Sequence, residues 1–233
     1  GYERARRGFK IFAAKPRLKG LMALNFVVSL AGAMVIVNTV VLVKGQFGLT
    51  DQHTAMAFAA FGGGSMLAAL TLPALLKRWQ DRRVMLTGAG ILISGMLLAI
   101  AVDSLEWLIP VWALLGIGSS TVQTPVGRLL IKSSIGVDRP ALFAAQFSLS
   151  HAGWLVAYPL AGWLGSIAGL QITLVVLAGL ALIALISAIR LWPFNESTEL
   201  MHRHDDLADN HPHIATSGRQ HIHHYVIDNL HPK

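Results

Sequence analysis

The side chains able to do chemistry within the apolar part of this chain are few, and many fall in one stretch, Pro140 to Gly169 (PALFAAQFSLSHAGWLVAYPLAGWLGSIAG). Gln146 can donate and accept hydrogen bonds, Ser148 and Ser150 carry hydroxyls, His151 brings an imidazole that can hold or release a proton, and Tyr158 precedes Pro159. About 20 apolar residues suffice to cross a bilayer, so the stretch is long enough, yet a helix bathed only in lipid would carry none of these groups. At about 100° per residue, Ser148, His151, Tyr158 and Gly162 share one side of a helix. Gln146, Ser150, Gly153 and Ala157 share another. Polar groups at membrane depth are costly unless paired or wetted, so both faces are expected to look toward protein or water. Close packing alone explains the small and hydroxyl residues; Gln146 and His151 ask for a partner or a cavity.

Similar residues recur elsewhere. Asn25, Ser29, Asn38 and Thr39 lie in one apolar run, Gly62-Gly63-Gly64-Ser65 in the next, and Ser119 to Thr121 with Gln123-Thr124-Pro125 in a third. There Gly116, Ser120, Gln123, Thr124 and Gly127 share a face, a small-residue stripe with an amide set into it. Pro125 and Pro159 each remove an intrahelical hydrogen bond and are expected to kink their helices. The residues expected to line a substrate cavity are Asn25, Ser29, Gln123, Thr124, Gln146, Ser150, His151 and Tyr158.

Positioning such groups requires helices of membrane length, and the composition supplies them. The chain is 54% hydrophobic and 13% charged, a membrane composition. Six apolar runs span Leu21–Val43, Thr54–Leu76, Val84–Val102, Trp107–Leu130, Ala141–Ile167 and Leu170–Trp192. The expectation is an all-α integral membrane domain of six transmembrane helices over residues 20–193. A basic leader (1–19) precedes it and a tail (194–233) follows. The third and sixth runs are the least polar and suit an outer, lipid-facing place; the other four are candidates for an interior. Arg128 and Arg190, near the ends of their runs, can snorkel to headgroups.

The net charge of +7 does not mark a nucleic-acid surface, because the basic residues alternate between the ends of the runs. The leader carries seven, the loop after the second run four, the region of Arg128 to Arg139 three, and the tail with Arg190 four; the other side holds Lys44 alone. By the positive-inside rule both termini are cytoplasmic, which an even number of spans requires. The leader, with Phe9, Ile11 and Phe12 interleaved among Arg6, Arg7 and Lys10, also reads as an amphipathic interfacial helix. Beginning at Gly1 in a basic segment, the chain is expected to be a piece of a longer protein.

With no cysteine, thiolate chemistry and disulfides are unavailable. Eight of the ten histidines lie in the tail, expected to be largely disordered. His202 and His204, His211 and His213, and His221, His223 and His224 could hold a divalent transition metal; a solvated tail is the plainer reading. No cofactor is expected otherwise. No P-loop signature occurs. A rhomboid-type protease would need Gly-x-Ser-Gly on the fourth helix, where Gly118-Ser119-Ser120-Thr121 lacks the second glycine, and a histidine on the sixth. A cation diffusion facilitator would need His or Asp pairs on the second and fifth helices, where this chain has no carboxylate. The chain is not expected to be an enzyme.

The whole pattern resembles the C-terminal half of a major facilitator superfamily transporter. Pro73 to Arg83 (PALLKRWQDRR) aligns without gaps to the degenerate copy of that family's G-x-L-x-D-R-x-G-R-R loop. Leu75, Arg78 and Arg82 agree, while Pro73, Lys77, Gln80 and Asp81 stand where the family has Gly, Asp, Gly and Arg. Tyr158-Pro159-Leu160-Ala161-Gly162 is similar to the Gly-Pro-x-x-Gly element of exporters, and the His-rich tail is loosely similar to that of nickel-resistance exporters.

The resemblance implies a half-bundle whose first, second, fourth and fifth helices line a cavity shared with an N-terminal six-helix half, on the same chain or in a dimer. Arg78 and Arg82 would belong to the gating loop. It further implies a bacterial inner-membrane efflux permease for a small molecule, working by alternating access. The alternatives are a nickel or cobalt exporter and a non-transporting membrane protein whose tail buffers or senses metal.

Overall fold

In the computed structural model, residues 2–134, 136–194, 199–203 and 220–224 are described. Five of the six apolar runs each lie mainly in one long helix, and the fourth, Trp107–Leu130, is divided between two helices at Pro125. The leader forms α1 (Tyr2–Ala14), and Pro16, pre-set for a first helical turn, opens α2 (Pro16–Val40), which continues through a wider turn over Val41–Gln46. Then follow α3 (Asp51–Leu75), α4 (Asp81–Ala99), α5 (Leu105–Gln123), α6 (Val126–Lys132), α7 (Arg139–Ala168) and α8 (Leu170–Leu191). Five segments are long and apolar enough to cross a membrane: Pro16–Gln46, Asp51–Leu75, Asp81–Ala99, Leu105–Lys132 and Leu170–Leu191. The 30-residue α7 is not among them, because the polar residues singled out above dilute its apolar content.

Both proline expectations can be placed. Pro125 separates α5 from α6, whereas α7 runs on through Pro159. The α7–α8 hairpin turns at Gly169, whose φ of +81° and ψ of 169° suit a residue without Cβ.

Helix α2 is the axis of the bundle and packs on α8, α7, α4 and α5. Helix α3 packs mainly on α5, and α4 on α5 and α8. With one side α4 packs on α2 and α5, and α8 on α2, and both show apolar side chains such as Leu98, Ile183 and Ile186 on the other, while α3 and α7 hold the rim and leave much of their surface uncovered.

Small residues set the closest approaches. A Cβ on Gly64 would run into the Ala113 carbonyl, and one on Gly116 into the Phe61 carbonyl, so α3 and α5 meet backbone to backbone through two reciprocal glycines. Gly32 on α2 makes room for the Trp154 ring of α7 in the same way. Two interhelical hydrogen bonds join these contacts: Trp112 Nε1 donates to Thr39 Oγ1 (2.8 Å), and Asn38 Nδ2 to the Ala161 carbonyl (3.3 Å).

At the end of the bundle where the basic loops gather, ion pairs stitch the helices together. Asp81, buried in the first turn of α4, takes Arg128 and Lys132 of α6, the latter at 2.9 Å, and Arg128 also reaches the Leu76 carbonyl (3.0 Å). Arg128 thus binds protein, where snorkelling to headgroups was expected. Arg7 of α1 grips Asp138 with both ends of its fork (2.6 and 3.1 Å), and Lys15, itself buried, donates to the Ser133 carbonyl (2.9 Å). With Ile11 and Phe12 buried, the leader helix is part of the helical unit, although the basic leader was expected to stand apart from it.

The tail forms a second unit, Phe194–Lys233. Within it β1 (Glu199–Arg203) and β2 (Gln220–His224) pair antiparallel, with His202 opposite His221, a pairing that its polar composition did not suggest.

Candidate functional site

Helix α7 sorts its two polar faces differently. Gln146 and Ala157 are buried, and Ser150 and Gly153 half-buried, so that face packs within the unit. Ser148 and His151 are exposed and Tyr158 is at the edge of exposure, on a face that also shows Phe147 and Leu155. The exposed polar groups bond to their own helix. His151 Nδ1 lies 2.8 Å from the Phe147 carbonyl with its ring 3.9 Å from that of Phe147, Ser150 Oγ donates to the same carbonyl (2.9 Å), and Tyr158 stacks near Trp154 (5.1 Å).

The remaining predicted cavity residues divide between α2 and α5. Ser29 is fully buried and donates to the Asn25 carbonyl (3.0 Å), one turn back on its own helix. Asn25 is 8% exposed, and its Nδ2 has no hydrogen-bond partner; Gln146 Oε1, equally buried, has none either. Gln123, whose amide asked for a partner or water, finds Ser119 Oγ (3.0 Å) and stays exposed at the end of α5; Thr124 beside it is 3.4 Å from Ser120 Oγ. A cavity of about 530 Å³ between α2, α7 and α8 is lined by Asn25 and by none of the other seven. The eight residues therefore do not form one enclosed pocket within this unit: Ser29 and Gln146 are inside it, and Gln123, Thr124, His151 and Tyr158 are on its surface.

In the loop between α3 and α4 Arg78 is exposed, while Arg82, in the first turn of α4, donates to the carbonyls of Trp192 (2.6 Å) and Ile189 (3.3 Å), clamping the end of α8. Asp81 was missed as a binding residue. It stands where the resemblance leads one to expect Arg, and together with Arg128 and Lys132 it builds an ion-pair cluster of the opposite polarity at that place. Its signal was available, since it opens an apolar helix and two basic residues lie four apart in Arg128 and Lys132.

Of the histidines proposed for metal, His204, His211 and His213 lie outside the described residues, and His202, His221, His223 and His224 fall on β1 and β2. Among the described residues no group of three His, Asp or Glu could hold a metal ion.

A bundle of long apolar helices with hydrogen-bonding groups both between its helices and along an uncovered face is the architecture of a polytopic membrane carrier rather than of a soluble domain. A family model, Major Facilitator Superfamily, matches residues 21–217. The chain belongs to that superfamily of transporters. No curated protein matches it.

Proposed function

We propose that this chain is the C-terminal half of a small-molecule efflux permease, and that its six long helices, α7 included, cross the membrane and rock against a second six-helix half. The observation that carries the reading is the uncovered rim. Leu70 on α3 and Leu155 on α7 are 73% and 75% exposed, and on the same two helices a Cβ added at Gly62 or Gly63 would meet nothing within 4 Å and His151 is open. An imidazole is a poor group to leave in acyl chains, so a second protein surface, or water held between two halves, fits this face better than lipid. Gln123, Thr124, Ser150, His151 and Tyr158 would then line a site shared by the halves, near the bilayer midplane, with both termini cytoplasmic. In the fold seen here, only groups that escape burial inside the unit can meet a substrate.

The 233 residues carry no cysteine, so once any cysteine elsewhere in the full-length protein is replaced, introduced thiols report this face alone. Leu70→Cys and Leu155→Cys, introduced into the full-length protein, are expected to react with a membrane-impermeant maleimide to an extent that changes when transported compound is added. Equal labelling in detergent and membrane, unaffected by any compound of a drug panel, would overturn alternating access at this face.

A divalent metal on the tail is a second reading, favoured by the register that sets His202 opposite His221. Titration of the full chain and of a chain ending at Pro193 with nickel is expected to show binding only in the former; growth on nickel or cobalt would separate a cargo from a buffer.

A further inference from the structure

The cavity that holds Asn25 is lined by α2, α7 and α8, and its larger lobe lies between them. Met22, Ala152, Val156, Ile183 and Leu191 border it and are exposed, so it is open at the surface. A second, smaller lobe of about 400 Å³ runs under α1 between Phe9, Phe12 and Ala13. The two lobes share Lys19, Met22, Leu149 and Leu191. Both walls are largely apolar; the polar residues among them are Lys19, Asn25 and Ser187, whose hydroxyl donates to the Ile183 carbonyl (2.8 Å). Lys19, at the junction, is exposed, and its ammonium has no partner among the described residues. Asn25, six residues further along α2 and hence about 9 Å deeper, is part of the larger lobe's wall with its Nδ2 covered.

We propose that this bipartite groove holds one anionic glycerophospholipid, its phosphate on Lys19 and its two acyl chains in the two lobes. Two apolar lobes meeting at one cation match a headgroup with two chains. The groove also lies on the basic side of the molecule, where α1, with Arg6, Arg7 and Lys10, would rest among anionic headgroups. A protein occupant would have to present an anion at Lys19, and the uncovered α3–α7 rim already offers a protein surface elsewhere.

The test is native mass spectrometry of the purified full chain titrated with phosphatidylglycerol and phosphatidylcholine of identical acyl chains. One phosphatidylglycerol is expected to be retained about fivefold in preference to phosphatidylcholine, the weight of one lysine near an anionic headgroup. Lys19→Gln should abolish the preference while leaving phosphatidylcholine retention unchanged, and Ala152→Trp, which fills the larger lobe from its exposed edge, should lower retention of both. No headgroup preference in the parent protein, or a preference that survives Lys19→Gln, would overturn the proposal. So would an Ala152→Trp protein that keeps its lipid but loses an oligomeric state, since the groove would then be a protein interface.

Discussion

Helices α2 and α7 both interrupt an apolar run with uncharged polar side chains, asparagine, serine and threonine in α2 and glutamine, serine and histidine in α7, yet the bundle uses Asn38 and Thr39 of the one and His151 of the other in opposite ways. On α2, Asn38 and Thr39 are buried and reach across to α7 and α5. On α7, His151 is exposed and satisfied by a carbonyl one turn back. A polar group that bonds between helices fixes their relative position; one that bonds within its own helix costs nothing to expose and leaves its other valences for whatever arrives. The difference separates scaffold from working surface more sharply than the residue types do.

The strongest test of this contrast lies on α3, where two neighbouring glycines have opposite surroundings. Gly64→Val should push into the Ala113 backbone and cost about 3 kcal/mol, read as loss of monodisperse protein and of its thermal transition. Gly62→Val, with nothing within 4 Å, should leave that transition in place and instead lower transport by the assembled protein. Equal loss of stability in both would erase the distinction between packed and working faces.

Asp81→Asn comes next. Weakening the buried acceptor of Arg128 and Lys132 should cost about 2 kcal/mol, and Arg128→Ala in the same chain should add much less than it does alone. Full additivity would mean that the two residues do not act together. Thr39→Val should cost about 1 kcal/mol and lose most of its effect in a Trp112→Phe background. Smallest of all, His151→Ala should change thermal stability by no more than about 0.5 kcal/mol, as expected of a surface position, while altering transport or its dependence on pH. A large stability loss there would place His151 in the scaffold.

Much of this was legible without coordinates. Membrane-length apolar runs announce helices because unsatisfied backbone groups in lipid cost several kcal/mol each, so the six runs and the Gly169 turn between the last two could be read directly. The Pro125 interruption followed from proline's missing N–H. The candidate site was legible only as a set of residue types. Ser29 and Gln146 were placed with His151 because helical periodicity reports angles about one axis, and it says nothing of which side the neighbours occupy.

Amino-acid order alone determined which segments are helical and apolar, that the chain carries no thiol chemistry, and on which ends the basic residues collect, since these depend on local backbone chemistry and composition. Only the tertiary structure decided that α2 is the axis, that α3 and α7 form the rim, that Asp81 gathers Arg128 and Lys132, and that Asn25 Nδ2 is buried without a partner. Those outcomes rest on contacts between residues far apart in the chain, whose energies come from burial and pairing that no single helix contains.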